Sequence, residues 1–215
     1  MNRGLLFVIS GPSGAGKGTI CSAYLKEARN TWLSVSATTR TPRDGESHGK
    51  SYYFMSRDEF QDRLEKGDFL EHAEVYGNYY GTPRSEVDAK LEMGYDVILE
   101  IDIQGALKVK ENTDEGIFIF ILPPSMEELK KRIIGRGSET EDSLDRRFKS
   151  AFEEINYISN YNYGVINTTV EEALENVQAI VRAEHCRVDR VIANIKELQE
   201  EQEHGKTDYD RAVHN

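Results

Sequence analysis

The stretch "LLFVISGPSGAGKGT" (residues 5–19) decides the fold. Its first six residues form an unbroken apolar run, the length of a strand buried on both faces. The segment "TICSAYLKEA" (19–28) reads as a helix. Strand, glycine-rich loop and helix in that order is the layout of a phosphate-cradling loop. Gly11, Gly14 and Gly16 let backbone N–H groups turn toward phosphate oxygens, and the helix N-terminus adds partial positive charge. Pro12, Ser13 and Ala15 complete the loop, and Lys17 brings a point charge to the outer phosphates. One position departs from the usual form GxxxxGK[ST]: Gly18 follows Lys17, and the hydroxyl comes a residue later, at Thr19. Glycine there leaves room for close backbone approach, and Thr19 remains to address either the phosphates or a metal.

Three further apolar runs have the length and flanks of buried strands: "DVILEID" (96–102), "IFIFIL" (117–122) and "YGVIN" (163–167). Helix-like stretches begin near Gly16, Gln104, Ser125 and Val170, and "PPSMEELKKRI" (123–133) has Ser125 and Glu128 at the spacing of a capping box. Strands alternating with helices predict an α/β fold, a P-loop NTPase-type parallel sheet with helices on both faces. Residues 33 to about 92 read differently. "LSVSATTR" (33–40) suits a strand, "SRDEFQDRLEKG" (56–67) a helix capped by Ser56 and stopped by Gly67, and "DFLEHAEVYGNYYG" (68–81) short strands about a turn at Gly77-Asn78. The expected organisation is a core of 1–33 and 93–188, with a lid at about 135–150, a small α+β insertion at 34–92, and a helical extension at 189–215. The helical pattern runs from Val170 to about Gln202, nearly all polar beyond 189 outside Val191, Ile192, Ile195 and Leu198. The tail "EHGKTDYDRAVHN" (203–215) lacks core-forming periodicity and suits a mobile segment or one associated with a homo-oligomer.

At 215 residues, 38% hydrophobic and 30% charged, the chain fits one substantial core with an insertion. A net charge of −11 argues against nucleic acid as the main partner, because phosphate-backbone binding needs a basic face. Basic residues instead gather locally at "RTPR" (40–43), "KKRIIGR" (130–136) and "RRFK" (146–149), a distribution suited to small anions. The leading residues lack a signal-peptide layout, and "LLFVIS" is too short to span a bilayer. Cys21 and Cys186 have no metal or redox spacing, so the expected location is cytoplasmic, away from membranes.

A loop ending GKGT resembles those of nucleoside monophosphate kinases. With "SVSATTRTPRDGESHGKSYYF" (34–54), "FLEHAEVYGNYYGTP" (69–83) and "ILEIDIQG" (98–105), the sequence from about residue 4 to 187 strongly resembles the guanylate kinase family. The resemblance implies the reaction ATP + GMP → ADP + GDP, with 34–92 as a GMP-binding subdomain. It implies Mg²⁺ with ATP as co-substrate, the ion held largely through water and phosphate oxygens. Arg40, Arg43, Tyr52 and Tyr80 match the family's clamp on the GMP phosphate, where a dianion calls for arginine forks and phenolic donors. Glu71 matches the carboxylate that takes both donors of the guanine edge, with Asp102 assisting and Ser36 and Thr82 near the base and O6. Many relatives carry Asp at the position of Glu100, and whether Glu100 or Asp102 supports the metal is left open by the sequence.

Phosphoryl transfer relies on charge neutralisation and in-line placement. Arg132, Arg136 and Arg147 match the family's lid and lid-flanking arginines, with Arg146 a neighbour, and Gly135 and Gly137 flank Arg136 where a closing lid would bend. Asn167 matches the adenine-side amide of the ATP site, but "NTTV" (167–170) lacks the acidic residues that often follow it, leaving donor selectivity open. Two other readings compete: a kinase-like binding module without turnover, which an intact loop and arginine set argue against, and a kinase for another nucleoside monophosphate, which would need a different base pocket.

Overall fold

In the computed structural model, residues 3–134, 141–192 and 195 are described, with the backbone alone for 141–147. The apolar run becomes β1 (Leu6–Ser10), buried along its whole length. The glycine loop leads into α1 (Lys17–Glu27). There follow β2 (Thr31–Leu33), β3 (Ala37–Thr38), β4 (Tyr53–Phe54), α2 (Arg57–Glu65), β5 (Phe69–Val75), β6 (Asn78–Pro83) and α3 (Arg84–Glu92). The remainder comprises β7 (Asp96–Glu100), α4 (Ile103–Asn112), β8 (Gly116–Leu122), α5 (Met126–Ile134), α6 (Glu141–Ile155), β9 (Tyr163–Ile166) and α7 (Val170–His185).

Five strands form a parallel sheet in the order β2-β7-β1-β8-β9. All four strands read from apolar runs lie in it, and the α/β expectation holds. β1 sits at the centre, so the loop that follows it opens at the carboxyl ends of the strands, where ligands of such sheets bind. The fifth strand, β2, differs from the expectation of one strand over 33–40. Leu33 ends a strand of this sheet, whereas Ala37 and Thr38 belong to the second. At three half-buried residues, β2 has neither the length nor the apolar run that marks a strand in sequence.

The second sheet, in the order β4-β3-β6-β5, has β3 parallel to β4 and antiparallel to β6, with β5 antiparallel to β6. α2 covers it, starting at a full capping box: Ser56 Oγ accepts from the Glu59 N–H, and Glu59 Oε2 accepts from the Ser56 N–H. Phe60 from α2 stacks on Phe69, ring centroids 4.3 Å apart, and on Tyr79 at 5.4 Å. Successive side chains of β5 serve opposite cores. Phe69 joins the Phe60 cluster, and Leu70 joins the main one with Val8, Val87, Leu99 and Val109. α4 brackets the strand as well: Asn112 Nδ2 donates to the Leu70 carbonyl and Lys108 Nζ to that of His72.

The chain divides into two compact units, Met1–Val177 and Gln178–Asn215, and the first holds both sheets. In the second, α7 ends at His185 and helical residues resume at Val188, so the helical pattern read to about Gln202 is interrupted there. The last turn tightens to i→i−3 bonds, Cys186 N–H to Ala183 and Arg187 N–H to Glu184, with no glycine or proline to announce it. Leu198 and the tail from 203 lie outside the described residues. Among the described residues no helix is long and apolar enough to cross a membrane.

The β5–β6 hairpin turns at Tyr76-Gly77, one residue earlier than expected from the Gly77-Asn78 pair; Asn78 already pairs with Val75. Both turn residues have positive φ, 48° for Tyr76 and 74° for Gly77, as a two-residue primed turn requires. A bulky residue is strained there, and Tyr76 is fully exposed with no packing to offset it. Tyr76→Asn, which creates the favoured Asn-Gly pair, should stabilise the protein by about 0.5–1 kcal/mol, measured as a rise in the urea midpoint at unchanged m-value.

Candidate functional site

The backbone between β1 and α1 passes through positive φ at Gly11 (145°), Gly14 (89°) and Gly16 (96°). A Cβ at Gly11 would lie 2.3 Å from the Ile121 carbonyl oxygen, and one at Gly16 would lie 2.3 Å from Asn167 Nδ2. The loop is therefore seated on β8 and on the end of β9 so closely that glycine is obligatory at both positions. Inside it, the Ala15 N–H donates to the Pro12 carbonyl, and Lys17 Nζ reaches back to the carbonyls of Gly11 (2.6 Å) and Pro12 (3.2 Å). The lysine ammonium thus lies over the cradle formed by the loop.

Asn167 is nearly fully buried, and its Nδ2 donates to the Ala15 carbonyl at 2.7 Å. It lines a hollow beside the loop with Gly14, Gly16, Thr19, Arg132 and Thr168, and its amide nitrogen is used on the loop itself. Arg132 is held from two sides, Nε to Glu128 at 3.0 Å and Nη2 to the Asn167 carbonyl at 3.2 Å. The Ser125 cap on α5 is present, its Oγ accepting from the Glu128 N–H, which leaves the Glu128 carboxylate for Arg132.

A second hollow of about 240 Å³ lies on the other side of the loop, lined by Gly11, Ser13, Lys17, Gly18, Glu100 and Asp102 among others. The irregular Gly18 sits close to this hollow's acidic wall: a Cβ at that position would stand 3.1 Å from Glu100 Oε1. The carboxylate at the end of β7 would have to yield by a few tenths of an ångström to a side chain there. Partial burial pushes the Glu100 carboxyl above the usual range, and Lys17 draws it back. Thr19 is exposed and lines the Asn167 hollow instead, so the structure does not bring its hydroxyl together with Glu100 and Asp102. Glu154 of α6, unremarked in the sequence, also reaches this hollow, accepting from the Ser13 N–H at 3.4 Å.

Asp102 caps α4, its Oδ1 accepting from the Gly105 N–H at 2.7 Å. Gly105 keeps the space between two carboxylates open: a Cβ there would be 3.4 Å from Asp102 Oδ1 and 3.5 Å from Glu71 Oε2. Glu71 follows a register shift in β5, the kind of irregularity that re-aims a side chain, and its Oε1 accepts from the paired Thr82 hydroxyl at 2.8 Å. Burial raises the Glu71 pKa; the Thr82 bond opposes this, and the charge of Asp102 adds to it. A half-buried carboxylate with one oxygen bonded and the other turned toward Gly105 is equipped to accept a pair of donors.

Arg40, Tyr52 and Tyr80 come together as expected. The Arg40 guanidinium lies 5.4 Å from the Tyr52 ring centroid, Tyr52 packs edge-on against Tyr80 at 6.0 Å, and Tyr80 faces Arg40. Ser36 lies between β2 and β3, where its carbonyl accepts from the Tyr53 N–H. The Arg43 backbone joins the group through Glu46, which also pairs with Arg40; the sequence reading passed over this carboxylate. Lys131 pairs with Glu127 and Lys130 lies over Phe148, roles suited to a solvated helix face. Arg136, Gly135 and Gly137 lie outside the described residues, as do the side chains of Arg146 and Arg147. Asn167→Ala would leave the Ala15 carbonyl unpaired and should cost about 1–3 kcal/mol, read from urea unfolding.

Comparison with known proteins agrees with this geometry. The family model described as guanylate kinase matches residues 3–184. A guanylate kinase of Clostridium tetani is 66% identical over 191 residues, covering 89% of this chain and 91% of that protein. One of Clostridium acetobutylicum is 67% identical over 198 residues, covering 92% and 94%. The crystal structure of guanylate kinase from Anaplasma phagocytophilum superposes with a TM-score of 0.67 at 37% identity, covering 88% of this chain and 90% of that one. With the glycine loop, the Glu71–Thr82 pair and the arginine–tyrosine group each at its motif position, the chain belongs to the guanylate kinase family.

Proposed function

We propose that the protein transfers the γ-phosphoryl group of ATP to GMP, giving ADP and GDP by direct in-line displacement. One observation carries the reading: Asp102 lines the hollow of the phosphate loop and also faces Glu71 across Gly105. A donor phosphate seat and a guanine-reading carboxylate are therefore parts of one site. Residues 34–92 serve as the GMP-binding subdomain on a core of 1–33 and 93–188, and residues 135–150 as the lid.

The loop from Gly11 to Thr19 seats the ATP phosphates, with Lys17 neutralising charge as it develops in transfer. Arg40, Arg43, Tyr52 and Tyr80 orient the GMP phosphate, whose oxygen is already anionic and needs no catalytic base. Glu71 accepts from guanine N1–H and N2–H₂, Thr82 and Ser36 address the base, and adenine would meet the same carboxylate without a proton to offer. Arg132, Arg136 and Arg147 bring further positive charge as the lid excludes water. Among the described residues no group of three acidic, His or Cys side chains is placed to hold a metal alone. The oxygen donors of Glu100 and Asp102, with Gly18 leaving space beside Glu100, fit a magnesium ion that keeps most of its water and phosphate ligands. When bound, Mg²⁺ supplies charge neutralisation on the ATP phosphates. A cytoplasmic location fits two cysteines that remain unpaired.

A panel of GMP, AMP, UMP and TMP with ATP tests the reading, with GMP expected to be preferred by roughly 10⁴ in kcat/KM over AMP; comparable turnover of AMP would remove the role of Glu71. Glu71→Gln presents an amide donor to guanine and should lower kcat/KM for GMP by about 10²–10⁴. In the wild type, kcat/KM should fall with decreasing pH as Glu71 protonates, above the ordinary 4.5 because its pKa is raised; the glutamine variant should lose that limb. The stability signature has the opposite sense. Ionising a carboxyl of raised folded pKa costs stability, a cost absent below the unfolded value and complete above the folded one. Glu71→Gln should accordingly raise Tm at pH 7 and leave it unchanged in acid. Arg136→Ala should depress kcat more than GMP affinity, since its charge is needed mainly in the transition state; a pure KM effect would contradict the lid role.

A further inference from the structure

Arg40 and Glu46 stand six positions apart in "RTPRDGE", and the chain closes on itself between them. Glu46 Oε1 accepts from Arg40 Nη2 at 2.8 Å, and Oε2 accepts from the Arg43 backbone N–H at the same distance. The Glu46 N–H returns to the Arg43 carbonyl at 3.0 Å, with the intervening Gly45 at φ 84°. One carboxylate thus spends an oxygen on each of the two arginines of the clamp, and its chemistry on them differs. It takes the guanidinium of Arg40, whose side chain is only 14% exposed, but holds Arg43 by its main chain, leaving that guanidinium at the surface.

Donor accounting shows what this does to Arg40. A guanidinium has five N–H groups in a fixed fork. Nη1 gives one to the Thr41 carbonyl at 2.8 Å, Nη2 gives one to Glu46, and the plane is packed within 5.4 Å of the Tyr52 ring centroid and 5.9 Å of that of Phe54. Tyr80 accepts a further bond from the guanidinium, so two of the five N–H groups remain, in a plane the protein has already set. A long, flexible cation has become a rigid donor fork beside Tyr80. We propose that Glu46 is a positioning residue for the acceptor phosphate, holding Arg40 in its phosphate-binding orientation before GMP arrives. This rests on the reading of Arg40, Tyr52 and Tyr80 as the phosphate clamp.

The opposing effect is electrostatic. A carboxylate against Arg40 offsets part of the charge that attracts a phosphate dianion, so if Coulomb attraction governed, removing Glu46 would tighten GMP binding. Orientation wins because the fork binds phosphate bidentately and a guanidinium left to wander must be ordered on each binding event. The two accounts give effects of opposite sign.

Glu46→Gln keeps size but offers a single acceptor oxygen, so it cannot serve Arg40 and the Arg43 N–H together. Glu46→Asp keeps the charge and is one methylene short of spanning both. The full chain should be titrated calorimetrically with GMP and with guanosine, which lacks the phosphate, and its steady-state constants measured beside Arg40→Met. For both Glu46 variants, GMP affinity should fall about 10- to 100-fold, KM for GMP should rise correspondingly, and kcat, KM for ATP and guanosine affinity should hold. Tighter GMP binding, unchanged GMP binding in Glu46→Asp, or an equal loss for guanosine and GMP would each overturn the inference. Arg40→Met separates the levels: a GMP-selective loss there with none in the Glu46 variants defeats the positioning role alone, whereas no loss there defeats the clamp beneath it.

Discussion

The backbone between β1 and α1 can follow its path only because three glycines accept positive φ, two of them pressed against neighbouring strands. Gly11 is seated on Ile121 of β8, Gly16 on the Asn167 amide, and that amide bonds the Ala15 carbonyl in return. Loop shape is thus set by β8 and by the end of β9 as much as by the loop residues. Lys17, Gly18 and Thr19 take their directions from it: the lysine over the cradle, the glycine toward Glu100, the threonine into the hollow beside Asn167. A rigid seat of this kind orients its N–H groups in advance, which is where positioning catalysis gets its advantage.

The acceptor side is built on a smaller sheet with its own core of Phe60, Phe69 and Ala37, tied to the larger through alternate residues of β5. The irregularity in β5 between Phe69 and Glu71 sends a carboxylate toward Gly105 and Asp102, the residue that also caps α4 and lines the loop hollow. Asp102 therefore links the start of α4, the Glu71 carboxylate and the loop hollow. The desolvated Glu71 carries a raised pKa as a result, a stability cost of holding a carboxylate there.

Charge is managed locally. A chain of net charge −11 that handles polyanions must keep its cations where they act, and two arginines of the site have an acidic partner setting their direction: Glu46 for Arg40, Glu128 for Arg132. These pairs orient the guanidinium groups, and partly exposed ion pairs of this type contribute little to folding.

The sequence by itself determined the chemistry and the class. An apolar run before a glycine loop specifies strand and loop, Ser56 specifies a helix start, and the separated motifs at 34–54, 69–83 and 98–105 carry the resemblance that names the acceptor, because each signal is local and carried by neighbouring residues. Tertiary structure alone decided the rest. β2 is a strand because β7 pairs with it, its three residues being too few to show a period. Gly18 lies against Glu100, 82 positions away, and Asn167 serves as a brace for a carbonyl 152 positions earlier. Glu46 gained a role when its two oxygens were seen to be divided between Arg40 and Arg43. Such assignments depend on which atoms the fold brings within hydrogen-bonding distance, and spacing along the chain carries no record of that.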